Sequence, residues 1–384
     1  MSSRSYHRPL LSRRRKGNIL VLSALLMVLM MAMAAFAVDV GYLCVARNEL
    51  QRTADASANA ACWDLVNTSG PSGINNYTAL SATARTTAAQ YATLNPVMSQ
   101  GPALGTSDVE VGYIADPQDP NSPFLTNSAL PPNAVHVRVL KTAQQNGQLP
   151  LFFGRILGID KVNAQADATA AVLNNFSGFQ APSDGTNLDL LPFALDQETW
   201  DSLMNGTGTD IYSYNSATGA VTAGSDGIKE VNLYPQGTGS PGNRGTVDIG
   251  SSNNSTADLS RQITSGINAS DMAHMGGKVE FDETGKLYLN GDTGISAGVK
   301  DDLAAIKGLP RIIPIFSSVS GNGNNATYTI VKFVGVRITY VKLTGSMSSK
   351  QVIIQPAVCK TMGGIPSTGS VTSTFVYSPV WIVR

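Results

Sequence analysis

The sequence predicts an α+β protein in which an N-terminal transmembrane helix continues into a stalk helix and is followed by β-rich extracytoplasmic domains. Three observations support this class. An uncharged apolar run extends from Ile19 to Val38, and a helical spacing of small and apolar residues continues beyond it. Much of the remaining chain alternates apolar with polar residues or is rich in β-branched residues, as strands are.

The charge distribution separates a basic tip from an acidic body. The chain has 384 residues with 27 Lys+Arg and 27 Asp+Glu, and 14% of its residues are charged. Six basic residues and no acid fall in the first 18 positions, which leaves 21 basic and 27 acidic residues from position 39 onward. The charge balance argues against a nucleic-acid partner, and a hydrophobic fraction of 42% excludes wholesale disorder.

The apolar run has the length of a membrane span. Residues 19–38 contain no charge, Pro or Gly, and as a helix they extend ~30 Å, the thickness of the hydrocarbon core of a bilayer. Because basic flanks stay in the cytoplasm, residues 1–18 are predicted to be a cytoplasmic tip and the rest of the chain to be exported. The residues that set this orientation are Arg13, Arg14, Arg15 and Lys16.

A cleaved secretory signal is the alternative to a retained anchor. Ala35-Phe36-Ala37 has the small-x-small pattern of a cleavage site after a basic region. The apolar run, however, exceeds the usual 7–15-residue core of a signal peptide, and the helical pattern continues past Ala37. We therefore favour retention, with cleavage near Ala37 left open.

Residues 39–68 are predicted to be a stalk helix that continues the membrane helix. Gly70-Pro71 then ends it. Small residues along one face permit close packing, either on a partner helix or on the body of the same chain, and the sequence leaves both open. The stripe consists of Leu43, Ala46, Leu50, Ala54, Ser57, Ala61 and Leu65.

The exported body is predicted to contain two units. Residues 69–175 form a small α+β domain, with a helix at 74–94 and strands at 109–114, 135–139 and 162–172. Residues 176–384 form a β-rich domain whose strongest signal is the hairpin of 326–343 with 351–355. In it, Gly335 is predicted to be a bulge, and Pro314 assigns 311–316 to a sheet edge.

Candidate chemistry is sparse. The chain has three His and three Cys, and no G-x4-G-K-[ST] phosphate loop, so we assign no catalytic residue, metal ligand or cofactor. Export to an oxidising compartment allows a disulfide between Cys62 and Cys359, which would tie the stalk to the last domain. Cys44 is then left over, as a buried small residue or as a site for an intermolecular bridge.

After the basic cluster and the apolar run come the segments AVDVGYL (residues 37–43) and ELQRTADASA (residues 49–58). In this order of pieces, the N-terminal segment resembles the Tad (tight adherence, Flp-type pilus) assembly proteins of the TadG-like kind. The resemblance covers residues 13–62 and continues more weakly at 153–158 and 162–170. Prepilin-type processing is not expected, because Leu22 stands where pilin-like proteins carry Glu. The residues of the family-like motif are Asp39, Gly41, Leu50, Ala54 and Asp55, within the segments AVDVGYL and ELQRTADASA.

This resemblance implies a component of a pilus or surface-adhesion apparatus, anchored in the bacterial inner membrane. We expect it to be non-enzymatic and to contact the membrane and, through the stalk helix, other pilus-assembly or surface proteins. An anchored β domain that binds a ligand or surface polymer, with the Tad-like segment used only for export and anchoring, is the alternative.

Overall fold

The computed structural model describes residues 19–66, 77–239, 244–250, 255–291, 297–367 and 369–383, and its fold is α+β. The basic residues Arg13 to Lys16 and the Gly70-Pro71 helix end lie outside the described residues. Its helices are α1 (Ile19–Trp63), α2 (Tyr77–Leu94), α3 (Gln197–Met204), α4 (Thr256–Ser265), α5 (Ala269–His274) and α6 (Lys300–Ala305).

The strands follow in chain order. The first part of the body contains β1 (Val109–Gly112), β2 (Ala134–Lys141), β3 (Leu149–Pro150), β4 (Lys161–Val162) and β5 (Ala164–Val172). The second part contains β6 (Phe176–Gln180), β7 (Leu195–Asp196), β8 (Tyr212–Tyr214), β9 (Val221–Ala223), β10 (Val231–Tyr234), β11 (Lys278–Glu280), β12 (Leu287–Asn290), β13 (Pro310–Ser320), β14 (Thr327–Lys342), β15 (Gln351–Pro356), β16 (Cys359–Lys360), β17 (Gly364–Pro366), β18 (Ser373–Thr374), β19 (Val376–Tyr377) and β20 (Val380–Ile382).

Helix α1 is one unbroken rod of 45 residues, about 68 Å long at ~1.5 Å per residue. Its first part is exposed and is long and apolar enough to cross a membrane. Beyond Val38 one face becomes buried by the body. The helix ends at Trp63 and turns follow to Val66, so it stops a few residues before the predicted end at 68.

The first sheet packs on α1 and α2. Its strands are antiparallel in the order β1-β2-β5-β20. The predicted strands at 109–114, 135–139 and 162–172 correspond to β1, β2 and β5, and the helix predicted at 74–94 is α2. β20, from the C-terminal end of the described chain, adds the last strand to this sheet.

The second sheet is buried on both faces. Its main path is β10-β15-β14-β13-β7, and β12 and β18 also pair with β14. Ile313 and Val334 belong to one hydrophobic cluster, whereas Ile312 and Phe333 belong to another on the opposite face. The continuous β-branched run that predicted β14 reflects this two-sided burial.

Two details of this sheet differ from prediction. β13 is not an edge strand, because it pairs with β14 on one side and with β7 and Leu190 on the other. On this second side, Ile312 pairs with Leu190 and Ile315 pairs with β7, and Pro314 lies between these two contacts. Pro314, which has no N–H to donate, therefore lies where the pairing on this side of β13 is interrupted. Gly335 is in regular register rather than a bulge, and an added Cβ would lie 2.3 Å from the carbonyl oxygen of Phe375.

The predicted disulfide between Cys62 and Cys359 does not form, and both thiols are free. Cys62 lies in the cluster between α1 and the first sheet, where its thiol donates to the carbonyl oxygen of Asn133 at 3.6 Å. Cys359 lies on β16 in a core cluster of the second part of the body. Each thiol is thus enclosed by a separate apolar cluster.

Candidate functional site

The candidate site is the junction between α1 and the body, which we call the helix–body junction (residues 39–62 of α1 and their contacts). The small-residue stripe of α1 is buried here against α2, β2 and β5. Small side chains on both surfaces let the helix lie close to the sheet. The buried residues are Ala46, Leu50, Ala54, Ser57, Ala58 and Ala61 on the helix, and Ala166, Ala168 and Ala170 on β5. The stripe therefore contacts the chain's own body, not a partner helix.

Asp39 holds a loop of the body against the first turn of α1 beyond the apolar segment. Its carboxylate accepts hydrogen bonds from the backbone N–H groups of Phe152 at 2.8 Å, Phe153 at 3.0 Å and Gly154 at 2.7 Å. Phe152 also packs edge-on against the ring of Tyr42, with 5.4 Å between centroids. Charge-assisted bonds of this kind are about twice as strong as neutral ones, so this one side chain fixes the loop.

Glu49 and Thr53 hold the segment that follows α2. The Glu49 carboxylate accepts a bond of 2.6 Å from the N–H of Met98, and the Thr53 hydroxyl lies 2.8 Å from the carbonyl oxygen of Asn95. Met98 and Ser99 have positive φ angles of 49° and 66°. This conformation is unfavourable for residues other than Gly, so the bond from Glu49 helps to maintain it.

The remaining motif residues differ in what they contact. Asp55 accepts a bond of 2.9 Å from the side-chain amide of Gln51, which also donates to the carbonyl oxygen of Asp167 on β5 at 3.1 Å. Leu50 and Ala54 are fully buried in the junction. Gly41 is exposed, and an added Cβ would meet no described atom within 4 Å. Of the five predicted motif residues, Asp39, Leu50 and Ala54 are buried against the body, Asp55 is linked to it through Gln51, and Gly41 faces away from it.

Sequence reasoning missed the partner of Asp39 and the roles of Glu49 and Thr53. Glu49 and Thr53 stand inside the family-like segment, so their position was the available signal. The loop at 152–154 overlaps the weaker stretch of similarity at 153–158, FGRILG, but no local pattern shows that an acid more than 100 residues earlier would bind its amides.

The three thiols fall into two environments. Cys44 is exposed on α1, whereas Cys62 and Cys359 are buried. Burial raises the pKa of the Cys62 thiol, and burial, with the nearby Asp189 carboxylate, raises the pKa of the Cys359 thiol. The two buried cysteines therefore remain neutral and protected from oxidants and alkylating reagents.

A cleft of about 310 Å³ opens between the two parts of the body. Tyr113 and Tyr377 line it beside Trp200, and Lys332 supplies a cationic group. The side-chain oxygen of Asn174, also in its lining, is buried without a hydrogen-bond partner among the described residues. Aromatic walls with a few polar groups are typical of small-molecule sites.

The described residues show little that resembles a catalytic centre. His136 bonds to the Thr169 hydroxyl and His274 to the carbonyl oxygen of Ser270, so neither is oriented by a carboxylate. Residues 294–298 have Gly-x-Ser-x-Gly spacing, but 292–296 lie outside the described residues. Within the described ranges no group of three or more His, Cys, Asp or Glu side chains could hold a metal ion.

Two family models match the chain across this junction. The Flp pilus-assembly TadE/G-like model matches residues 17–64, and the Tad-like Flp pilus-assembly model matches residues 47–170. No curated protein and no solved structure matches it. The first match covers the apolar segment and the whole helix side of the junction, and the second covers α2 and the first sheet as far as β5. Residues 17–170 are thus similar to Tad-type Flp pilus-assembly proteins.

Proposed function

We propose that the chain is a single-span, non-enzymatic assembly component of a Tad/Flp-type pilus apparatus. Its N-terminus lies on the cytoplasmic side of the bacterial inner membrane, and its body lies in the periplasm or at the cell surface. The family matches support a role in pilus assembly. The exposed apolar part of α1 supports the anchor, and the basic residues before it support the orientation.

The continuity of α1 is the observation that carries this proposal. One helix joins the apolar segment to the residues that hold the body, without a hinge between Val38 and Asp39. Asp39, Glu49 and Thr53 then bind the body at successive levels along that helix. Because these bonds hold the body on the helix, the body keeps a fixed position above the membrane. An assembly component that positions other subunits requires such a fixed position.

The body's own contacts restrict where a partner binds. Because β2 and β5 cover the small-residue stripe, a partner helix contacts α1 within the membrane or along its exposed face. That face carries the exposed residues Val45 and Asn48. Cys44 lies on it as well, so an intermolecular disulfide at this position is sterically open.

An anchor-exchange experiment tests the proposal. Residues 1–38 are replaced by a cleavable secretory signal, so that the body is exported and released. We expect the body to accumulate in soluble form while pilus assembly is lost in the bacterium that encodes it. A replacement by an unrelated single-span anchor of equal length is the matched control. Normal piliation with a released body would refute the need for the anchor.

The second candidate function is ligand binding in the cleft, and the unpartnered oxygen of Asn174 favours it. An anchored receptor would recognise a periplasmic polymer there. Soluble peptidoglycan fragments titrated against the full chain in micelles test this function. We expect a change in Trp fluorescence that Asn174→Ala weakens and Asn48→Ala leaves unchanged. If the fluorescence of the unmodified chain shows no saturable change, these fragments are excluded as its ligand.

A further inference from the structure

A hairpin of the body carries a cluster of exposed apolar side chains. It consists of β3, β4 and the loop between them, which includes a short 3-10 turn at Gly154–Leu157. Ile156 and Leu157 are 79% and 82% exposed. We define the apolar tip as Phe152, Phe153, Ile156, Leu157 and Ile159.

This cluster is unusual for the surface of this chain. Beyond α1, the other exposed large apolar residues among the described ranges are dispersed along the sequence. Isolated exposed apolar residues are common, whereas a contiguous patch marks a surface that contacts something apolar. The apolar tip places five such residues within eight positions of the chain.

The contacts with α1 locate the tip relative to the apolar segment. Gln51 bonds to Asp167 on β5, whereas Asp39 bonds to the amides of 152–154 in the hairpin. Twelve helical residues separate these two levels, about 18 Å along the axis. The hairpin therefore extends from the body toward the apolar end of α1 and reaches the level of Asp39, directly beside Val38.

We propose that the apolar tip inserts into the exported face of the same lipid bilayer that α1 spans, which rests on the proposed anchor. The tip continues the apolar surface of residues 19–38, so lipid is the occupant that requires no additional partner. Exposed Arg155 within the tip and exposed Lys161 just beyond it suit lipid phosphates. The Asp39 carboxylate accepts hydrogen bonds from three backbone N–H groups of the loop. These N–H groups therefore already have hydrogen-bond acceptors when the tip enters the lipid.

Site-directed spin labelling of the full chain tests this insertion. The label is placed by Leu157→Cys in a Cys44→Ser background, since Cys62 and Cys359 are buried. The protein is reconstituted in phosphatidylethanolamine and phosphatidylglycerol vesicles. Collision rates are measured with oxygen, which enters hydrocarbon, and with a water-soluble nickel complex. Val28→Cys on the apolar helix and Ser216→Cys in an exposed turn are the lipid and water references, and Ile159→Cys repeats the test at a second tip position.

We expect the oxygen-to-nickel ratio at positions 157 and 159 to exceed that at 216 on the order of tenfold and to approach that at 28. A lipid-like value at 28 with water-like values at 157 and 159 would overturn the insertion while the anchor stands. Low access of both reagents at the tip would also overturn it, because protein would then cover the tip. A water-like value at 28 would instead refute the anchor itself.

Discussion

At the scale of single residues, Asp39 joins the helix that carries the apolar segment to the body. It is the first residue after the apolar segment, and its carboxylate binds amides 113 to 115 positions later in the chain. The sequence identified Asp39 as a motif residue but not its partners. Hydrogen bonds to backbone groups depend on where the chain folds back, and no pattern of side chains encodes that position.

Asp39→Asn should loosen the loop at 152–154. The Asn side chain keeps one acceptor oxygen, but it loses the charge and places an N–H₂ group against a backbone N–H. These changes should weaken the attachment of the loop by ~1.5–3 kcal/mol. We expect the amides of Phe153 and Gly154 to exchange with deuterium at least about tenfold faster, because ~1.4 kcal/mol corresponds to a factor of ten.

Asp55→Asn is the matched control. Asp55 is half-exposed and binds the neighbouring Gln51 side chain rather than the loop. Exchange at Phe153 and Gly154 should therefore stay unchanged in this variant. Equal protection in both variants and in the unmodified chain would show that Asp39 does not hold the loop.

The buried thiols should make stability depend on pH at the alkaline end. Because burial raises the pKa of Cys62, the unfolded chain releases this proton first as pH rises through the ordinary thiol pKa of ~8.5. The folded state then binds more protons, so the free energy of unfolding falls with rising pH by up to ~1.4 kcal/mol per unit. Below pH ~8.5, the contribution of the protonated Cys62 thiol to the free energy of unfolding is fully present.

Comparison of the unmodified chain with Cys62→Ala isolates this effect, since the other titrating groups are shared. Urea unfolding in micelles at pH 7 and pH 9.5 should show a shallower decline in the variant. Cys44→Ala, which changes an exposed thiol, should retain the full decline. Parallel declines in all three proteins would contradict the burial of Cys62.

At the scale of elements, the small-residue stripe shows what periodicity can and cannot predict. A row of Ala and Ser at helical spacing indicated a close contact, and the structure has one. The stripe lies against α2 and against a sheet whose own alanines, such as Ala168 and Ala170, alternate along β5. Both surfaces were visible in the sequence, but nothing in either pattern states that they meet, so the partner-helix alternative remained open until the structure was known.

Ala54→Leu should destabilise the junction by ~1–3 kcal/mol, because Ala54 is fully buried and the larger side chain would separate α1 from the sheet. Urea unfolding monitored by Trp fluorescence measures the change. Asn48→Leu, an equally bulky substitution on the exposed face, should be nearly neutral. If Ala54→Leu proved as stable as Asn48→Leu, α1 would not pack on β5 as described.

In the second sheet, the positions of the strands were predicted better than their contacts with other segments. The hairpin of β14 with β15 followed from a β-branched run and a turn, both of which are local. The positions of Gly335 and Pro314 depended on other segments: the backbone at Phe375 approaches Gly335, and the contacts of Leu190 and β7 leave a gap at Pro314. Rules based on local sequence assign a Gly within a strand to a bulge and a Pro within a strand to an edge strand. In this sheet, long-range packing overrides both rules.

At the scale of the whole molecule, one helix organises the chain from the apolar segment to the body. The sequence predicted a helix long and apolar enough to span a membrane, and the α+β class, because length, composition and periodicity determine both. It did not predict that β20, near the C-terminal end, would join the first sheet beside β5. The proposed division of the body at 175/176 is a prediction that a two-unit unfolding experiment would address, and β20 links the two units.

The central claim is that residues 19–38 remain covalently joined to the body as its membrane anchor. Intact-mass spectrometry of the protein extracted from the membranes of the source bacterium tests this claim most directly. A retained anchor predicts one species that contains residues 19–38 joined to Asp39 and is found in the membrane fraction. A mature chain that begins at Val38, recovered in soluble form, would contradict the anchor, and a start at Asn18 would contradict the expected absence of prepilin processing.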